Sequence, residues 1–137
     1  MNEERPVTNL LRSELARATG CNLETIRYYE KIEILPHPPR TARGFRVYDD
    51  GHVRRLRFVM RMRELGFSLE EVRGLLMLVD GGTQTCAEVL GRTQAHLANV
   101  RAKIADLQSI ETVLAETAAK CSGRDVPDCP VLDALSA

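Results

Sequence analysis

The stretch that decides the fold is residues 13–32, SELARATGCNLETIRYYEKI. Ser13–Ala18 predicts a short helix, and the turn after it contains Gly20, which can take the left-handed conformation that ends many helices. Asn22 is a favourable N-cap for a second helix over Leu23–Ile32. Two short helices that are joined by a tight, glycine-containing turn form a helix-turn-helix.

The segment that follows predicts a small hairpin and two more helices. Arg40–Tyr48 combines residues of strand propensity with a possible turn at Gly44, which indicates a β-hairpin, or wing. A third helix is expected over Gly51–Leu65. Ser68–Glu71 has the pattern of a capping box, which predicts a fourth helix that runs to about Val79.

A net charge of zero conceals a basic segment. Between residues 40 and 63 there are eight arginines and two acidic residues, Asp49 and Asp50. Such a segment favours contact with a phosphate backbone, although a solvated helix face would have a similar composition.

A long helix is predicted to begin at the capping box Thr85–Glu88 and to run to about Lys120. One face carries an apolar stripe at spacings of mostly three, four and seven residues: Leu90, Leu97, Val100, Ile104, Leu107, Ile110, Leu114 and Ala118. A helix about 50 Å long outreaches an 80-residue domain, so this stripe predicts a homodimer.

The four cysteines suggest metal binding more than disulfides. The first residues lack the apolar core of a secretory signal, and no apolar run approaches the roughly 18 residues that span a membrane, so we expect a cytoplasmic protein with reduced thiols and no membrane partner. Cys21 is expected to be a small buried residue. The candidate metal ligands are Cys86, Cys121 and Cys129.

Cys86 and Cys121 flank the predicted long helix, so within one chain they lie about 50 Å apart. If two such helices pair antiparallel, Cys86 of one chain lies beside Cys121 and Cys129 of the other, with two equivalent sites per dimer. The helix N-terminus stabilises a thiolate at Cys86, and Cys129 is expected to cap a short helix over Pro130–Leu135.

Segments along nearly the whole chain resemble the MerR family of bacterial regulators, among them His52–Phe58 and Leu65–Leu69, which are similar to the two helices after the family wing. The most specific is Glu24–Glu30, and Arg40–Tyr48 is similar to the family wing. The ending Cys121–Pro130 looks like the metal loop of the metal-sensing branch. The resemblance implies a mainly α fold: a winged helix-turn-helix DNA-binding domain (1–80), a hinge and antiparallel dimerisation helix (81–120), and a metal-binding loop with a short C-terminal helix (121–137).

The resemblance also implies roles for particular residues. The expected DNA contacts are Thr25, Arg27, Tyr28, Arg40, Arg43, Arg46 and Tyr48. The expected metal ligands are Cys86, Cys121 and Cys129, the first supplied by the partner chain. Members of the family bind double-stranded promoter DNA as homodimers and, with metal bound, distort it so that RNA polymerase can use the promoter.

The identity of the metal follows partly from the ligand type. Three thiolates favour a soft ion, so Hg(II) is expected, with Pb(II) and Cd(II) next and Zn(II) or Cu(I) as alternatives. The resemblance implies serine at the first ligand position of Cu(I) sensors, where this chain has Cys86, although the length of its loop looks like that of the copper branch. Zinc sensors would show a further Cys or His in the loop, where Ser122 stands here.

One residue departs from the family pattern. Glu33 follows the second helix where the family commonly has glycine, so it is expected to adopt a left-handed conformation at a small cost in stability.

Three other functions fit the sequence less well. A thiol-based redox regulator would bind DNA but form a disulfide in place of a metal site. An enzyme with Cys121 or Cys129 as nucleophile lacks a histidine near either cysteine in sequence, and the chain has no Cys-x-x-Cys pair. A coiled-coil adaptor would not explain the arginine-rich wing.

Overall fold

The computed structural model describes residues 9–82 and 84–120. Five helices account for most of them, and the described part of the chain contains no β-strand. The helices are α1 (Arg12–Thr19), α2 (Leu23–Lys31), α3 (Asp50–Glu64), α4 (Leu69–Asp80) and α5 (Cys86–Lys120). They belong to two compact units that divide between Val79 and Asp80. The mainly helical fold that the sequence predicts is therefore confirmed.

The helix-turn-helix forms as its capping residues dictate. Gly20 ends α1 in the left-handed conformation, with φ of 75°. Asn22 caps α2, because its side-chain oxygen accepts a hydrogen bond of 2.8 Å from the backbone N–H of Glu24. The predicted helix ends are within one residue of the observed ones, so local signals place both helices correctly.

The wing is a turn with little strand character. Gly44 supplies a positive φ of 85°, and the residues on either side meet at one isolated antiparallel bridge between Arg40 and Arg46. A second bridge joins Leu10 to Tyr48 through two backbone hydrogen bonds of 2.8 Å. The predicted hairpin is thus present as a turn with single bridges, and its return segment is tied to the chain just before α1.

The first unit has an aliphatic core. α1 packs on both α2 and α3, and the largest fully buried apolar side chains come from several of these elements and their connections. These side chains are Leu15, Ile26, Ile34, Leu35, Tyr48, Leu56, Val59 and Val72. α4 opens with the predicted capping box, in which Ser68 and Glu71 exchange two hydrogen bonds of 3.1 Å. The core thus fixes α2 beside the wing.

Glu33 takes the left-handed conformation that the sequence predicts, with φ of 62°. Arginines from the two following helices bond the carbonyls on either side of it. Arg73 donates to Ile32 O at 2.6 Å, and Arg55 donates to Ile34 O at 2.8 Å. The surrounding contacts therefore hold a backbone conformation that a non-glycine residue rarely adopts.

We expect Glu33→Gly to stabilise the protein by about 0.5–1 kcal/mol. The left-handed region costs an L-residue roughly 1–2 kcal/mol, and the greater freedom of glycine in the unfolded chain offsets part of the gain. Thermal and urea unfolding would measure the change. Glu33→Ala removes the same charge but retains Cβ, so an equal gain in that variant would contradict a backbone origin.

α5 is a single helix of 35 residues, and none of its residues is buried within its own chain. Its predicted capping box is present, with Thr85 and Glu88 exchanging hydrogen bonds of 2.9 and 3.2 Å. The stripe residues Leu90, Leu97, Ile104, Leu107 and Leu114 are exposed, at between 42% and 63% of their possible area. No helix of residues 9–82 and 84–120 is both long and apolar enough to cross a membrane.

Candidate nucleic-acid interface and metal ligands

α2 presents one polar face to solvent. Ile26, Tyr29 and Glu30 are buried against the unit, whereas Arg27 and Tyr28 are exposed. Thr25 is half-buried at the edge of this face. The two residues that the sequence predicts as recognition-helix contacts are therefore accessible to a ligand.

The wing arginines are also accessible. Arg40 and Arg43 are exposed and Arg46 is half-buried. Arg46 Nη1 lies 3.5 Å from Glu30 Oε2, which ties the base of the wing to the end of α2. The wing thus places three guanidinium groups around one turn.

Tyr48 is placed differently from the sequence-based expectation of a phosphate contact. Its side chain is fully buried, and its hydroxyl donates a 2.6 Å hydrogen bond to Glu30 Oε1 and accepts one of 3.1 Å from Arg12 Nε. Burial, and then the hydrogen bond to Glu30, raise the pKa of Tyr48, so the hydroxyl stays protonated. In this structure Tyr48 packs and orients other groups, and a phosphate contact would require it to leave this network.

Sequence reasoning missed Arg12 and Glu30. Arg12 Nη2 donates to Glu30 Oε2 at 3.0 Å, and Glu30 is only 2% exposed. A signal was available, since Glu30 lies four residues after Ile26 and so on the core-facing side of α2. An acidic residue at a core-facing position indicates a buried ion pair.

Two hollows surround this network, with volumes of about 360 and 370 Å³. The first lies between α1 and the wing, and the second lies between α2 and the wing. Their polar lining is mostly basic: Arg12, Arg40 and Arg46 in the first, and Arg12, Arg27, Lys31, His37 and Arg46 with Glu30 in the second. A concave surface of this charge fits a phosphate backbone.

Other arginines of the basic segment have structural roles. Arg57 donates to Ala18 O at 3.1 Å and Arg63 donates to Phe67 O at 2.9 Å, as Arg55 does to Ile34 O. Arg61 pairs with Glu64 at 3.2 Å on the surface of α3. Arg55, Arg57, Arg61 and Arg63 of the basic segment therefore also make contacts within the protein, while Arg57, Arg61 and Arg63 remain exposed.

The start of α3 carries a reciprocal cap. Asp49 Oδ1 accepts a 3.0 Å hydrogen bond from the backbone N–H of His52 and lies 2.9 Å from its Nδ1. His52 Nε2 lies 3.2 Å from Pro36 O, and its ring packs edge-on against Tyr48. The backbone hydrogen bond from His52, followed by that from its ring, lowers the pKa of Asp49.

We expect Asp49→Ala to destabilise the protein by about 1 kcal/mol at pH 7 through loss of the N-cap. A lowered folded pKa means that the carboxylate contributes stability above its ordinary pKa near 4 and loses it as pH falls through the folded value. The difference between wild type and variant should therefore shrink below about pH 4 in unfolding measurements. Asp49→Asn retains the cap and serves as the control, so an equal loss there at pH 7 would contradict this explanation.

The cysteines fall into two groups. Cys21 is buried in the turn of the helix-turn-helix, as predicted, and burial raises the pKa of its thiol. Cys86 is the first residue of α5 and is exposed. Cys121 and Cys129, with the predicted short helix Pro130–Leu135, lie outside the described residues. Among residues 9–82 and 84–120, no three His, Cys, Asp or Glu side chains are grouped as a metal site requires.

A helix-turn-helix with a basic wing and a separate long helix defines a DNA-binding regulator rather than an enzyme. Two family sequence models match the chain: the one described as MerR HTH family regulatory protein at residues 12–78, and the one described as MerR, DNA binding at residues 53–117. The chain belongs to the MerR family of transcription regulators.

Individual relatives agree with this assignment. The chain is 40% identical to the mercuric resistance operon regulatory protein of Bacillus cereus, over 89% of this chain and 93% of that protein. It is 41% identical to the HTH-type transcriptional regulator ZntR of Escherichia coli, over 89% of each. A crystal structure of a transcription regulator from Ralstonia metallidurans in complex with lead(II) is 36% identical, with a TM-score of 0.54, and covers 92% of this chain and 98% of that one.

Proposed function

We propose that this protein is a metal-responsive regulator that binds promoter DNA as a homodimer and activates transcription by RNA polymerase when a soft metal ion, Hg(II) by preference, binds Cys86, Cys121 and Cys129. Each part of this function is assigned to one segment of the chain. These are a DNA-binding domain (1–80), a dimerisation helix (81–120) and a metal loop (121–137). The cytoplasm is the proposed location.

The first unit supports DNA binding. Arg27 and Tyr28 lie on the exposed face of α2. Arg40 and Arg43 of the wing, which follows α2 in sequence, are also exposed. The hollows between these elements are lined by further basic side chains. A recognition helix in the major groove with a wing on the adjacent backbone would use this whole surface.

The length of α5 carries the proposal of a shared metal site. An unbroken helix of 35 residues separates Cys86 from the end at Lys120 by about 50 Å. Cys129 is nine residues beyond Lys120, and nine fully extended residues span at most about 32 Å. The three cysteines of one chain therefore cannot meet, and a site that uses all three requires two chains.

Cys86 fits the role of a thiolate ligand. It is exposed at the first position of α5, where the unpaired N–H groups and the helix dipole favour an anion. The adjacent capping box of Thr85 and Glu88 fixes this end of the helix. A bound ion would neutralise the thiolates and tie the metal loop of one subunit to α5 of the other.

The preference for Hg(II) rests on the donor set. Three sulfur ligands suit a soft ion, whereas Zn(II) usually takes four ligands. Two regulators similar to this chain are named for mercuric resistance and for heavy-metal dependence, and one similar solved structure is in complex with lead(II). Pb(II) and Cd(II) are the next candidates, followed by Zn(II) and Cu(I).

A metal titration tests the proposal. Purified reduced protein is titrated with Hg(II), Pb(II), Cd(II), Zn(II) and Cu(I), each against a competing thiol, while ligand-to-metal charge-transfer absorbance is recorded. We expect Hg(II) to bind most tightly, with three thiolates per ion and two ions per dimer. The proposed metal response would be wrong if none of the five ions bound more tightly than to the competitor.

A further inference from the structure

We propose that Glu30 is a positioning residue for DNA binding, whose buried carboxylate holds the guanidinium groups of Arg12 and Arg46 together so that both bind one backbone phosphate beside α2. This inference rests on the DNA-binding part of the proposed function. It assigns a role to two residues, Arg12 and Glu30, that the family resemblance left without one.

One carboxylate organises all the groups of this network. Oε2 of Glu30 lies 3.0 Å from Arg12 Nη2 and 3.5 Å from Arg46 Nη1, and Oε1 accepts the hydroxyl hydrogen of Tyr48 at 2.6 Å. The carboxylate is 2% exposed, whereas the side chains of Arg12 and Arg46 are 22% and 34% exposed. The carboxylate is thus buried, whereas the two guanidinium groups can be reached from solvent.

Without the carboxylate, the two guanidinium groups would separate. Both approach the same oxygen atom, so their like charges repel each other at short range. Glu30 neutralises one of the two charges and leaves a net positive pair. Such a pair has several N–H donors free to bind an oxyanion, and Arg binds phosphate in a bidentate manner.

The two arginines occupy the shared wall of both basic hollows. Arg12 and Arg46 line the hollow between α1 and the wing and also the hollow between α2 and the wing. The second hollow adds Arg27 and Lys31 of α2. A phosphate bound at this wall would lie next to the exposed face of α2.

The network also joins three segments that are far apart in sequence. Arg12 is the first residue of α1, Glu30 is near the end of α2, and Arg46 lies in the returning arm of the wing. Tyr48 closes the network, because its hydroxyl bonds both Arg12 and Glu30. Fixing these segments relative to one another fixes the spacing at which wing and α2 meet the DNA.

Glu30→Gln separates positioning from simple electrostatics, because the two predict opposite signs. Removing a negative charge from a DNA-binding surface should by itself strengthen binding. If Glu30 positions the arginines, the variant should instead bind about tenfold more weakly, since a charge-assisted hydrogen bond contributes on that scale. The probe is a duplex that the wild-type protein selects from a random pool, and the readout is Kd at several salt concentrations.

Glu64→Gln is the matched control. Glu64 is exposed on α3 and pairs with Arg61 there, so the change removes one negative charge without touching the network. We expect its affinity for DNA to be unchanged or slightly increased. Equal or tighter binding by Glu30→Gln would overturn the inference.

Arg12→Gln tests the same arrangement without altering the buried acid, in case Glu30→Gln fails to fold. We expect about tenfold weaker binding and a plot of log Kd against log salt that is shallower by about one phosphate contact. Combined with Arg12→Gln, Glu30→Gln should cost less than it does alone. An unchanged salt slope, or full additivity of the two changes, would contradict a shared phosphate.

These DNA-binding measurements also distinguish a failure of this inference from a failure of the proposed function. If the wild-type protein selects no duplex from the pool, the DNA-binding function itself is wrong. If the wild type binds and both variants bind as tightly, only the role of Glu30 and Arg12 is wrong.

Discussion

Cys86→Ser is expected to abolish the response to Hg(II). It removes one of three proposed thiolate ligands, and the remaining two belong to the loop that follows the far end of α5. Loss of a residue that only hydrogen-bonds a metal ligand weakens metal binding by about 10–100-fold. Loss of a ligand itself should therefore weaken the binding of Hg(II) by more than about 100-fold. Competition titration with a small thiol would measure the change in affinity.

Cys21→Ala is the control for this experiment. Cys21 is buried in the turn between α1 and α2, so its replacement should leave the affinity for Hg(II) unchanged. If Cys86→Ser also retains the wild-type affinity, three-thiolate binding is wrong. Tight Cu(I) binding that survives Cys86→Ser would instead indicate a site made by two thiolates.

A mixing experiment tests whether the site is shared between chains. Cys86→Ser and Cys121→Ser homodimers should each lack a complete site. Coexpression should give heterodimers with one complete site each. Because random pairing makes half of the dimers heterodimers, about a quarter of the wild-type metal capacity should return. A site built within one chain would recover nothing on mixing.

Ile104→Asp is expected to dissociate the proposed dimer. Ile104 lies in the middle of the apolar stripe of α5 and is 49% exposed within its own chain. Loss of a buried aliphatic side chain costs at least about 2 kcal/mol, and each dimer carries the change twice. The dissociation constant of the dimer should therefore rise by about a thousandfold or more.

Ala102→Asp is the matched control, because it adds the same charge about 160° around the helix from Ile104. Sedimentation equilibrium over a range of protein concentrations would report the oligomeric state of both variants. We expect Ala102→Asp to remain dimeric, and Ile104→Asp to lose metal binding together with dimerisation. A dimeric Ile104→Asp would show that the stripe of α5 is not the interface.

The helices were predictable because their signals are local. Gly20 and Asn22 set the turn between α1 and α2, and two capping boxes set the starts of α4 and α5. The left-handed conformation at Glu33 is also predictable. Glu33 stands where the family commonly has glycine, and the chain must adopt the same backbone conformation there whichever residue occupies the position. Each of these features depends on residues only a few positions apart.

The roles of individual charged and polar side chains were less predictable. Tyr48 looked like a phosphate contact and is buried. Arg57 and Arg73 are exposed, yet each also donates to a backbone carbonyl, 39 and 41 positions away respectively. How a helix end packs decides which of its carbonyls lacks a helical partner and can accept a bond from an arginine. The amino-acid composition does not predict this packing.

By itself, then, the sequence determined the helices, their caps, the exposed apolar stripe and the cysteines at either end of α5, because periodicity, capping and chain length act locally. Only the tertiary structure decided which charges face solvent. The buried carboxylate of Glu30 gains its partners from α1 and the wing, 18 and 16 residues away, and those partners meet only when the core closes around them.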